Sequence, residues 1–83
     1  MMTPATKAMT GRDRRVLAVT ARLLQEGKSP SIKEIAADSR TTFSAAYISL
    51  QRLELMGWIS RKVGTHRSLE LVKKVPAELM DVA

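Results

Sequence analysis

The apolar rhythm of this chain changes once, at Gly57, and that change limits the folds open to it. Before Gly57 apolar residues recur at helical steps, and from Trp58 onward they alternate, so helices precede strands. Start signals divide the helical part. Thr10 with Asp13 and Ser31 with Glu34 have the spacing of a capping box. In such a box the hydroxyl accepts from a free backbone N–H and the carboxylate favours the helix start. Thr42 is suited to cap a third helix. Gly27 and Gly57 stand where the first and third helices should stop, since glycine takes up the left-handed conformation without a Cβ clash.

The expected elements follow from these signals. A first helix over 11–26 turns Val16, Val19, Thr20, Leu23 and Leu24 inward, and a short second helix over 32–38 buries Ile35 and Ala36. A third over 43–56 buries Ala46, Ser49, Leu50 and Leu53, yet it also carries Phe43, Tyr47 and Ile48 out of step with that stripe. Strand-like segments over 58–63 and 67–72, joined by Gly64-Thr65-His66, form a hairpin. Leu69 and Leu71 alternate there with Ser68 and Glu70, one face buried and the other wet. Residues 1–9 read as a mobile tail, 10–72 as the domain, and 73–83 as a second tail with one weak helical turn or a partner contact.

The fold class expected from this order is α+β: a three-helix winged helix-turn-helix with a C-terminal two-stranded β-hairpin wing. In that architecture the second and third helices make a compact corner, the third enters the major groove of DNA, and the hairpin reaches along the phosphates. Charge agrees with a polyanionic partner. Lys and Arg number 14 against 8 Asp and Glu, a net charge of +6. Over 57–75 Arg61, Lys62, Arg67, Lys73 and Lys74 face only Glu70 in opposition.

Other classes fit poorly. With 83 residues the chain has little room for a catalytic cleft, and no carboxylate pair is brought together by the expected fold, so no enzyme is expected. There is no cysteine and one histidine, which cannot make the usual nitrogen and sulfur ligand set, so neither a metal nor another cofactor is expected. No apolar run has the length of a membrane span and no secretion signal opens the chain. A cytoplasmic, prokaryotic or phage-like protein associated with DNA is expected.

The segments "MTGRDRRVLAVTARLLQEGKSPSIKEIA" and "AAYISLQRLELMGWISRKVGTHRSLELV" resemble the DNA-binding domain of the LexA repressor and, more loosely, the MarR and GntR winged-helix groups. The likeness covers 9–72. Its most recognisable pieces are "SPSIKEIA", "LQRLELMGWI" and "GTHRSLEL". Relatives usually carry Leu-Gly-Val or similar in the turn before the recognition helix; this chain has the more polar Ser39-Arg40-Thr41. Self-cleavage, which belongs to a further domain of LexA, is not carried over, because no Ser/Lys dyad can be assigned.

The resemblance implies groove-facing positions at Thr42, Phe43, Ser44, Ala45, Tyr47, Ile48 and Gln51. Backbone contacts are expected at Ser31, Lys33, Arg40 and Arg52 and, because the wing is so basic, at Arg61, Lys62 and Arg67; His66 at the wing tip reads as a phosphate or minor-groove contact or as a solvated loop residue. No Arg, Lys or Asn lies between Thr42 and Leu50, so the strongest bidentate base readers are missing there and readout should lean on thymine methyls, shape and water. Two readings stay open for Phe43: contact with DNA, or folding back on the second helix to replace the apolar residue missing at Ser39. Trp58 reads as core or as an anchor for the C-terminal tail. Arg12, Arg14 and Arg15 read as a solvated helix face.

The function expected is a sequence-specific double-stranded DNA-binding regulator, a repressor occupying its site as a homodimer that forms on DNA if not before. One alternative is a protein-protein adaptor docking a protein partner through Phe43, Tyr47 and Ile48. Another is a nonspecific DNA-binding accessory protein.

Overall fold

Each helix begins and ends where its local chemistry dictates. In a computed structural model of the chain, which describes residues 9–61 and 69–75, α1 is Gly11–Gln25, α2 is Ile32–Asp38 and α3 is Phe43–Leu55. They are followed by β1, Ile59–Arg61, and β2, Leu69–Leu71. Both capping boxes form. Thr10 Oγ1 accepts from the Asp13 N–H at 3.0 Å while Asp13 Oδ2 accepts from the Thr10 N–H at 3.3 Å. Ser31 and Glu34 repeat the exchange at 3.1 and 3.4 Å. Thr42 Oγ1 caps α3 by accepting from the Ala45 N–H at 3.1 Å.

The three helices end alike. After α1 the Gly27 N–H donates to Leu24 O and the Lys28 N–H to Leu23 O; after α3 the Gly57 and Trp58 N–H groups donate to Glu54 O and Leu53 O. Both are Schellman motifs, with the glycines at φ +80° and +83° as expected. The end of α2 has the same pair of bonds, Arg40 N–H to Ala37 O and Thr41 N–H to Ala36 O, but the left-handed residue is Arg40 at φ +57°. The non-glycine turn of this chain therefore keeps the shape that glycine makes easy.

Small differences from the expected boundaries have local causes. Glu26 and Met56 leave the helices as C-caps, so α1 and α3 end one residue earlier than 11–26 and 43–56 suggested. Trp58 closes the α3 terminator with its N–H and so precedes the strand instead of opening it, although its carbonyl still accepts from the Val72 N–H at 2.9 Å. β1 and β2 are antiparallel, pairing Ile59 with Leu71, Ser60 with Glu70 and Arg61 with Leu69. The expected loop 64–66, with Lys62, His66 and Arg67, lies outside the described residues, as do 1–8 and 76–83.

Among the described residues, three helices followed by a two-stranded antiparallel sheet make the expected α+β winged helix. The core is contributed by every element. Val16, Leu17, Val19 and Ala21 of α1 meet Ile35 of α2, Leu50 and Leu53 of α3, and Trp58, Ile59 and Leu69 of the ribbon. Thr20 is buried with its hydroxyl donating to Val16 O at 2.8 Å, which satisfies the group inside its own helix. The core passes the expected domain limits at both ends. Met9, just before α1, and Val75, beyond β2, are both buried in it. Trp58 is thus core, and Lys73 lies over its ring at 4.5 Å, so it also holds the chain that leaves the ribbon.

Candidate functional site

Packing α3 by one face leaves its other face outward. Ala46, Ser49, Leu50 and Leu53 have no exposed surface and rest on α1 and α2. The opposite side carries Ser44, Tyr47, Ile48 and Gln51, all exposed, with Thr42 and Phe43 at its entrance and Ala45 half-buried on the flank. Phe43 is 55% exposed, so it does not replace a core residue at the turn. Ser39 itself is buried there, and its carbonyl accepts from Arg15 Nε at 2.8 Å. Leu55, 88% exposed, extends the outer apolar set toward the end of the helix, which the sequence reading did not single out.

The face is oriented by a polar network between α1 and α3. Arg52 Nε donates to Asp13 Oδ2 at 2.9 Å, and Arg12 Nε donates to Ser49 Oγ at 2.9 Å. Asp13 has no exposed surface. Burial pushes its carboxyl up, but hydrogen bonds involving Ser49, the Thr10 backbone and Arg52, with the charge of Arg52, outweigh that and hold it below the ordinary value. Arg12 and Arg15 are therefore tied to α3 and to the turn after α2, and are not a merely solvated face. Their partners lie 37 and 24 positions away, so no spacing rule could have found them.

The expected backbone-contact residues fall into two groups. Arg40 and Lys33 are exposed around α2, and Ser31 beside them has its hydroxyl engaged in the α2 cap. Arg52 keeps a side chain 46% exposed despite its bond to Asp13. Arg61 reaches from β1 to α3, with its guanidinium carbon 5.4 Å from the centroid of the Tyr47 ring and Nε 3.8 Å from Glu54 Oε1. Among the described residues no cluster of His, Cys, Asp or Glu could hold a metal ion. None of their helices is long and apolar enough to cross a membrane.

The chain is similar to proteins named LexA repressor. It is 39% identical over 69 residues to that of Thermosipho africanus, covering 82% of this chain and 35% of the relative. It is 37% identical over 70 residues to that of Thermotoga maritima, covering 83% of this chain and 36% of the relative. With that of Leptospira interrogans it shares 31% over 77 residues, covering 92% of this chain and 38% of the relative. The chain thus spans little more than a third of the length of the curated relatives it matches. No protein-family profile matches the chain, and no solved structure gives a significant match. The resemblance to LexA repressors, over 77 residues at its longest, takes in the three described helices and agrees with the winged-helix architecture.

Proposed function

We propose that this protein is a sequence-specific double-stranded DNA-binding repressor domain that inserts the outer face of α3 into the major groove. The observation that carries the reading is that face. Ser44, Tyr47, Ile48 and Gln51 stand outward on a helix whose other side is fully buried, so hydrogen-bonding groups and apolar groups are presented together on a rigid rod. Ser44, Tyr47 and Gln51 can bond base edges, while Phe43 and Ile48 suit thymine methyls and sugars. The relatives named repressors support the regulatory sense.

Phosphate contacts fix the register of such a helix without reading sequence. Lys33, Arg40 and Arg52 supply cations around α2 and α3, and Lys62, His66 and Arg67 would extend them along the wing. The net charge of +6 favours encounter with a polyanion and makes binding salt-dependent. One such domain has a modest interface, so tight binding takes two copies on a palindromic or repeated site.

Selection of duplexes from a random pool tests the reading. A reproducible motif that outcompetes its scrambled version as salt is raised, with two chains per duplex, is the expected result. Equal affinity for selected and scrambled duplexes would leave only nonspecific electrostatics. Absence of duplex binding would remove DNA as the partner and turn attention to Phe43, Tyr47 and Ile48 as a protein-docking face.

A further inference from the structure

We infer that Arg61, although it belongs to the wing, is a base-reading arginine presented beside α3 to a guanine edge in the groove. The inference rests on the proposed reading of the protein as a binder of double-stranded DNA. It assigns Arg61 to sequence recognition, where a basic wing residue would ordinarily be assigned to phosphate.

The pleat sets the direction of the side chain. Residues two apart on a strand share a face, so Arg61 projects on the side of Ile59, which is buried in the core. Ser60 and its partner Glu70 occupy the other side. Arg61 therefore leaves the ribbon toward α3, where it meets Tyr47 and Glu54. These two are seven positions apart, which brings them to one side of a helix.

The contacts then restrict the guanidinium. It lies over the Tyr47 ring at 5.4 Å and turns its Nε toward Glu54 at 3.8 Å. Nε is buried and makes no hydrogen bond, its approach to Glu54 being an ion pair only, and the side chain is 33% exposed through its other atoms. A guanidinium held over an aromatic ring and beside a carboxylate is biased in orientation, and its remaining donors keep the planar fork of the group. That fork matches guanine O6 and N7.

The charge around Arg61 and the make-up of α3 favour a base over a phosphate. A carboxylate at 3.8 Å lowers the net charge that Arg61 presents, which reduces its attraction to a phosphate. The helix also lacks such a reader, since no Arg, Lys or Asn occurs between Thr42 and Leu50. Arg61 supplies it from outside the helix. Tyr47 and Glu54 act on Arg61 as positioning residues.

The test begins from a duplex selected from a random pool by the wild-type protein. Each guanine is replaced in turn by 7-deazaguanine, which pairs normally but lacks the N7 acceptor, and binding is compared for wild type, Arg61→Lys and Glu54→Gln, with thermal unfolding as the check on folding. At one position the replacement should weaken wild-type binding about tenfold. Arg61→Lys should bind the parent duplex about tenfold more weakly and lose part of its sensitivity to that replacement, since a lone ammonium can still reach N7 but cannot span O6 and N7 as a planar fork. Glu54→Gln should bind unrelated duplexes more tightly, having lost a negative charge, yet discriminate less at that one guanine. If Arg61→Lys binds the parent like wild type and is equally sensitive to every replacement, Arg61 is a phosphate contact and the inference is overturned. If the wild type selects no duplex, the DNA reading falls and this inference falls with it.

Discussion

Asp13 of α1 has no exposed surface, and its Oδ2 accepts a hydrogen bond from Arg52 Nε of α3 at 2.9 Å. One carboxylate thus serves two ends. It completes the capping box that starts α1 and it ties down the helix whose outer face forms the candidate site. Removing Arg52 would take away one charged hydrogen bond from a buried carboxylate that keeps its bond from the Thr10 N–H. Because Arg52 is itself half-exposed and partly screened, Arg52→Ala is expected to lose about 1–2 kcal/mol in urea unfolding. Arg22→Ala, which breaks a pair half-exposed on both sides, should lose no more than about 1 kcal/mol.

Acid stability should report on the same carboxyl. Its folded pKa is lowered, so its contribution is fully present above the unfolded value of about 3.9 and is lost as pH falls through the folded value. Wild type should therefore lose stability as the pH falls below about 4. Asp13→Asn should be less stable at neutral pH and lose less stability as the pH falls below about 4, measured as unfolding midpoint against pH.

Arg40 is the left-handed residue of the turn between α2 and α3, at φ +57°. A side chain in that conformation costs about 1–2 kcal/mol, partly offset by the greater freedom glycine has in the unfolded chain. Arg40→Gly is expected to stabilise the fold by about 0.5–1 kcal/mol. If Arg40 also contacts phosphate, the same variant should bind DNA more weakly and with a shallower salt dependence. Greater stability with weaker binding would separate the two roles. Gly57→Ala, at φ +83°, should destabilise by about 1 kcal/mol.

Ile48 is 48% exposed and points away from the core. Ile48→Asp should leave the unfolding midpoint nearly unchanged and weaken binding to a selected duplex by at least about tenfold, by placing a carboxylate against the groove. Leu50→Ala, two positions on and fully buried, should instead cost about 2–5 kcal/mol of stability.

The helices were legible because their signals are local. Thr10, Ser31 and Thr42 cap and Gly27 and Gly57 terminate through atoms only a few residues away, and the stripe of Ala46, Ser49, Leu50 and Leu53 follows from helical period alone. The outward set of α3 followed as the complement of that stripe. What escaped depends on distant parts of the chain meeting. Nothing near Asp13 announces Arg52, nothing near Arg61 announces Tyr47 and Glu54, and the Arg40 turn lacks the glycine that normally marks its conformation. The burial of Met9 and Val75 is of the same kind, since a lone apolar residue in a polar segment has no period to betray it.

On the proposed reading the outer face of α3 meets double-stranded DNA. The most direct measurement is an NMR titration of the labelled protein with a duplex selected from a random pool, following backbone amide shifts. Shifts concentrated over 40–52 and at Arg61, with α1's interior positions such as Leu17 and Val19 unmoved, are the predicted result. Shifts that avoid Tyr47, Ile48 and Gln51 and fall elsewhere on the surface would contradict it.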